Sequence, residues 1–179
     1  MKLKFEYVRS TGLAFLLAAL SLPLSAQTAD QLRTAQLAQP DAVVRAREAQ
    51  QANADLQAAP IHSPADLAQF TATHVTDSPL LALSPLDRRI FEDSLTYNDT
   101  GVTSFRYDVL EKLTPTQAYQ ILSLIGQQSF TSQLGIKPTS ATDKKIMTFK
   151  PALEPLKGYY CEGKGTCREN PSNACSGGC

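Results

Sequence analysis

The sequence predicts a mainly α protein, a small antiparallel helical bundle that carries a disulfide-stapled, irregular C-terminal module. Two observations lead to that expectation. A hydroxyl residue, a proline and then an acidic or amide residue three positions after the hydroxyl recur as Ser63-Pro64-Ala65-Asp66, Ser84-Pro85-Leu86-Asp87 and Thr114-Pro115-Thr116-Gln117, each followed by apolar residues at helical spacing. All 4 cysteines of the chain, Cys161, Cys167, Cys175 and Cys179, are crowded into a glycine-rich tail too short to bury a core of its own.

Taken in order, the chain opens with Lys2, Lys4 and Arg9, continues with an apolar run from Leu13 to Leu22, and meets Pro23 before the small residues Ser25 and Ala26. This is the layout of a secretory signal peptide over residues 1–26, and the run is about half of the roughly 20 residues a bilayer core requires. Cleavage after Ala26 would remove Lys2, Lys4, Arg9 and Glu6, leaving 14 basic and 16 acidic residues. Such a balance gives nucleic acid no footprint, and no stable membrane anchor is expected after cleavage. Residues 27–60 are dominated by alanine and glutamine, divided by Pro40, and read as a loosely helical or disordered spacer without a/d heptads.

Residues 61–150 form the expected helical domain. In each cap the hydroxyl accepts from an orphan first-turn amide, proline suits the first helical position, and the third residue reaches back. The first helix holds Leu67 and Phe70 and ends near His74. The second runs from Leu86 to Tyr97 with Leu86, Ile90 and Phe91 on one face, and Asn98-Asp99-Thr100-Gly101 is a turn. Val102, Phe105, Val109 and Leu113 suit a further helix, although Phe105, Tyr107 and Val109 also alternate as a strand would. The third cap starts a helix from Pro115 to about Leu134, carrying Ala118, Ile121, Leu122 and Ile125 and ended by Gly135. Ser140 and Asp143 box a last short helix, and Pro151 and Pro155 force an extended linker into the tail, so that 151–179 is linker and cysteine-rich module.

The tail's C-x5-C-x7-C-x3-C spacing allows three disulfide connectivities and does not choose among them. A zinc site, the rival reading, usually shows C-x2-4-C pairs and often histidine, and the tail has neither, so neither metal nor cofactor is expected. Lys157-Gly158 is either an ordinary hinge or a point at which a protease frees the tail. Tyr159 and Tyr160 stand where bundle and tail meet, as docking residues or as anchors for a partner. No catalytic constellation is visible. His62 and His74 sit in no recognisable motif, and Glu92-Asp93 reads as a solvated face. The expected protein is therefore exported to the periplasm or secreted, is not an enzyme, and acts by binding a protein or cell-surface partner through its tail.

Two resemblances bear on that function. Leu83-Ser84-Pro85, followed about thirty residues on by Leu113-Thr114-Pro115-Thr116-Gln117 and then by the C-terminal cysteines, resembles the fulvocin C-related bacterial proteins, a bacteriocin-associated group, over roughly residues 83–179. This resemblance implies a secreted precursor or toxin-like protein whose active part includes Cys161, Cys167, Cys175 and Cys179. Leu113-Thr114-Pro115-Thr116-Gln117 is also similar to the LTxxQ motif of small ATP-independent periplasmic chaperones. That likeness implies a helical, partly apolar surface for unfolded clients, with the tail as a structural clip.

Overall fold

The computed structural model describes residues 29–149 and 155–179, with side chains from residue 42 on. The signal peptide expected over 1–26 and most of the extended passage through Pro151 lie outside the described residues. Helix α1 (Ala29–Ala58) runs through Pro40. Val43 and Val44 on it are about half exposed, and its last turn docks on the rest of the molecule through Leu56. Among the described residues no helix is long and apolar enough to cross a membrane.

The hydroxyl caps stand where their spacing predicts them. Ser63, Ser84 and Thr114 each accept a hydrogen bond from the third following amide, opening α2 (Pro64–Thr73), α3 (Pro85–Asp93) and α4 (Pro115–Ser123). Ser140 and Asp143 form a full capping box at the start of α5 (Ala141–Thr148).

The mainly α bundle is corrected by a four-stranded antiparallel sheet, which makes the fold a mixed α/β one. Its strands are β1 (Thr96–Asn98), β2 (Gly101–Arg106), β3 (Leu156–Gly163) and β4 (Thr166–Cys175), in the spatial order β1-β2-β4-β3. Three local causes separate this fold from the expected one. The helix expected through Tyr97 ends at Asp93 because Ser94 Oγ donates to Phe91 O at 2.7 Å. The same hydroxyl accepts from Arg106 N at 2.9 Å, so it closes the helix and fastens the neighbouring strand. Residues 101–105 are buried on both faces of the sheet, with the polar Thr103 and Ser104 enclosed beside Val102 and Phe105, so no apolar-in, polar-out alternation marks the strand and Val102, Phe105 and Val109 imitate a helical stripe. The helix expected to Leu134 stops at Ser123, since Gly126 takes φ +68° and lies so close to Leu56 that a Cβ would stand 2.7 Å from its Cα. A 3-10 segment, Gln128–Gln133, covers the remainder, and Gly135 (φ +72°) ends it.

The tail is likewise a β-hairpin rather than an irregular module. β3 and β4 turn at Lys164-Gly165, and β4 then crosses to β2 through Ser104↔Cys175, Phe105↔Ala174 and Arg106↔Asn173. Two further backbone bonds extend this seam, Tyr107 N to Ser172 O at 3.0 Å and Ser176 N to Thr103 O at 2.8 Å.

Helices and 3-10 segments pack on the sheet over a core centred on Phe91, Phe105, Leu110, Ile121, Leu122 and Phe130. Phe105 meets Phe130 edge-on at 5.3 Å and Phe91 at 6.5 Å, a favoured arrangement for aromatic rings. Tyr107 packs on Phe130, donates to Pro171 O, and carries Lys157 Nζ 4.5 Å above its ring. Tyr107 thus ties the hairpin to the core.

Candidate functional site

All four cysteines are oxidised and the two bridges are nested, Cys161–Cys179 outside Cys167–Cys175. Their Cα separations, 5.6 and 6.2 Å, lie in the ordinary disulfide range. Cys175 is 1% exposed, beside Ala174 in the core seam, whereas Cys161, Cys167 and Cys179 are half-buried. With every sulfur bridged, this state offers no thiolate to a metal. Paired cysteines of this kind belong to an oxidising compartment.

The outer bridge forms part of the wall of a cleft of about 560 Å³. The opposite wall is the β1–β2 turn, Asn98-Asp99-Thr100, and the near wall is Cys161, Glu162 and Lys164. Asn98 organises the space. Its Oδ1 accepts from Thr100 N at 2.9 Å and Thr100 Oγ1 at 2.8 Å, while its Nδ2 donates to Gly178 O at 2.5 Å. The turn and the segment after β4 are thereby joined across the cleft. Gly165 N donates to Cys179 O at 2.7 Å, and Ser176 Oγ donates to Val102 O at 3.2 Å, so both ends of the Cys175–Cys179 turn are held. Asp99 and Lys164 bring opposite charges to the opening, and Glu162 pairs with Arg168 across the hairpin at 3.1 Å. Such a cleft sets hydroxyl, amide and charged groups into a largely apolar exposed lining, backed by a covalently fixed wall.

The sequence identifies the four cysteines but passes over Asn98, which looks like an ordinary turn residue because its partner, Gly178, stands 80 positions away. Tyr159 and Tyr160 lie half-buried on β3, opposite Glu169 and Arg168, outside the set that lines the cleft. Both histidines give a ring N–H to backbone: His62 Nε2 to Leu56 O at 2.7 Å, and His74 Nδ1 to Phe70 O at 3.1 Å. The neighbours Glu92 and Asp93 part company. Asp93 is exposed beside Arg89, whereas burial pushes the Glu92 carboxyl above its usual range. Burial, reinforced by Asp66 and Glu92, also pushes the Tyr97 hydroxyl up to about 12.

A second groove, of about 350 Å³, runs between α1 and α5 and is lined by Asp55, Tyr119, Gln128, Ile146 and Phe149. Phe149 and Tyr119 remain 48% and 39% exposed there, and Gln128 Oε1 is buried without a hydrogen-bond partner. The pentapeptide Leu113–Gln117 has a local explanation. Thr114 and Gln117 make the capping box of α4, and Leu113 packs against the core. Comparison of the chain with protein-family models, with curated proteins and with solved structures gives no match.

Proposed function

We propose that this is an exported, non-enzymatic binding protein that recognises a protein or cell-surface partner in the cleft between the β1–β2 turn and the disulfide hairpin. The observation that supports the reading most directly is the construction of that cleft. One wall is cross-linked, the other is tied to it through Asn98, and polar side chains with charges of both signs line the opening. A preorganised wall reduces the ordering cost of binding. The signal-like residues 1–26 and the two bridges support residence in the periplasm or outside the cell. The bacteriocin-like form of the reading places the action on a target cell.

Fluorescently labelled oxidised protein applied to intact bacterial cells tests it. Saturable binding, with growth inhibition in the bacteriocin-like case, is the expected outcome. Asp99→Arg, which crowds the cleft from an exposed turn and reverses the charge there, abolishes the binding while leaving the melting temperature unchanged. Equal binding by this variant would overturn the assignment of the cleft.

The α1–α5 groove favours a second reading, in which the protein holds unfolded clients. Its exposed Phe149 and partly exposed Tyr119 offer apolar contact to a client. Suppression of the aggregation of a heat-unfolded enzyme measures this activity. Phe149→Ser should weaken it several-fold, and unchanged suppression removes the groove from consideration.

A further inference from the structure

We propose that the four cysteines form a thiol-exchange site, at which a small-molecule thiol interconverts the nested pairing and a sequential pairing that joins Cys161 to Cys167 and Cys175 to Cys179. The inference rests on the sulfur cluster and not on the binding role of the cleft. Cys161 and Cys167 are direct cross-strand partners of β3 and β4. Residues so placed have Cα atoms about 4.5–5.5 Å apart, inside the range of about 4.4–6.8 Å that a disulfide spans. Across the hairpin end, the Sγ atoms of Cys167, Cys175 and Cys179 all lie within 4.8 Å of one another. Cys179 follows Cys175 through Ser176-Gly177-Gly178, a turn closed by Cys179 N donating to Ser176 O at 3.1 Å. Both sequential bridges therefore join sulfurs or backbone positions that already face each other.

Access decides which bridge is attacked first. Cys161 and Cys179 line the cleft, where a dissolved thiol can reach them, whereas Cys175 is 1% exposed. A thiolate from solution attacks Sγ of Cys161, forms a mixed disulfide there, and expels Cys179 as a thiolate. The Cys179 thiolate attacks Sγ of Cys175, forming the Cys175–Cys179 bond and releasing the Cys167 thiolate. That thiolate attacks Sγ of Cys161 in the mixed disulfide, forming the Cys161–Cys167 bond and returning the original thiolate to solution. Two bridges are present before and after, and no net electrons are transferred, so the thiol acts as a catalyst. In the sequential form Cys179 is no longer bonded to β3, and the cleft loses its covalent wall.

The full chain, incubated anaerobically with a substoichiometric amount of reduced glutathione and quenched with N-ethylmaleimide, is digested with trypsin without reduction. Cleavage after Lys157, Lys164 and Arg168 gives peptides 158–164, 165–168 and 169–179. The nested pairing holds all three together in one species. The sequential pairing releases 169–179 as a separate, internally bridged peptide and joins the other two. Appearance of the two-species pattern with time of incubation is the expected result, and persistence of the single three-peptide species overturns the proposal. Cys161→Ser gives a second measurement that needs no added thiol. Maleimide label on Cys167 is expected as Cys179 displaces it from Cys175, and label confined to Cys179 overturns the proposal.

Discussion

At the scale of single residues, Asp143 is a polar clamp. Its Oδ1 accepts from Thr116 N at 3.1 Å and Thr116 Oγ1 at 2.6 Å, and its Oδ2 from Thr139 N, Thr139 Oγ1 and Ser140 N at 3.1, 2.9 and 3.0 Å. The first turns of α4 and α5 are thus held by one carboxylate. These donors, Thr116 foremost, keep its pKa far below the usual carboxylate value of 3.8. Because folding lowers this pKa, the stability it contributes is fully present above the unfolded value. It is lost as pH falls through that value toward the folded one. Asp143→Asn should therefore lower the melting temperature at neutral pH, and the gap to the wild type should narrow on acidification below about pH 4. Thermal denaturation followed by circular dichroism across pH checks both statements. Half of this clamp is legible in the sequence, since Ser140 and Asp143 stand at capping-box spacing. The Thr116 half is not, because nothing local announces a partner 27 residues away.

At the scale of elements, helix starts are legible and helix ends are not. A cap is chemistry within four residues, so Ser63, Ser84, Thr114 and Ser140 are readable as they stand. The ends depend on neighbours, as at Gly126, where the close approach of Leu56 and a positive φ stop the continuation of α4. The contrast between two glycines tests that cause. Gly126→Ala meets both a left-handed backbone and the Leu56 Cα, and should destabilise by about 2 kcal/mol or more, whereas Gly135→Ala meets no neighbouring atom and should cost only about 1 kcal/mol. Urea denaturation resolves the two, and equal losses would remove the α1 contact as the reason for the break. The strands are faint in the sequence for a related reason, with the alternation of Phe105, Tyr107 and Val109 the one hint of β2, which ends at Arg106. β2 is covered on both faces, and β4 runs through Arg168-Glu169-Asn170-Pro171-Ser172-Asn173, a polar stretch with the composition of a loop.

For the whole molecule, the cysteine tail is where sequence and structure both agree and differ. Disulfides are legible from cysteine number and spacing, but their pairing requires the hairpin, and the hairpin's bond to β2 is invisible in residues so polar. That bond makes the tail part of the core seam, with Ala174 0% and Cys175 1% exposed. A chain shortened to residues 27–156 should accordingly lose cooperative unfolding in a thermal scan, because β2 then has an empty edge and Phe105 an open side. Retention of a sharp transition would show that the helices and β1–β2 stand alone. The strand order has a consequence for biogenesis. A chain made from its N-terminus presents its helices and β2 long before the strand that pairs with Ser104, Phe105 and Arg106 exists. Synthesis interrupted before residue 173 leaves that edge bare, the state most open to intermolecular strand pairing and to proteolysis. A chain that lacks β4 therefore exposes both the β2 edge and the core seam that Ala174 and Cys175 otherwise close.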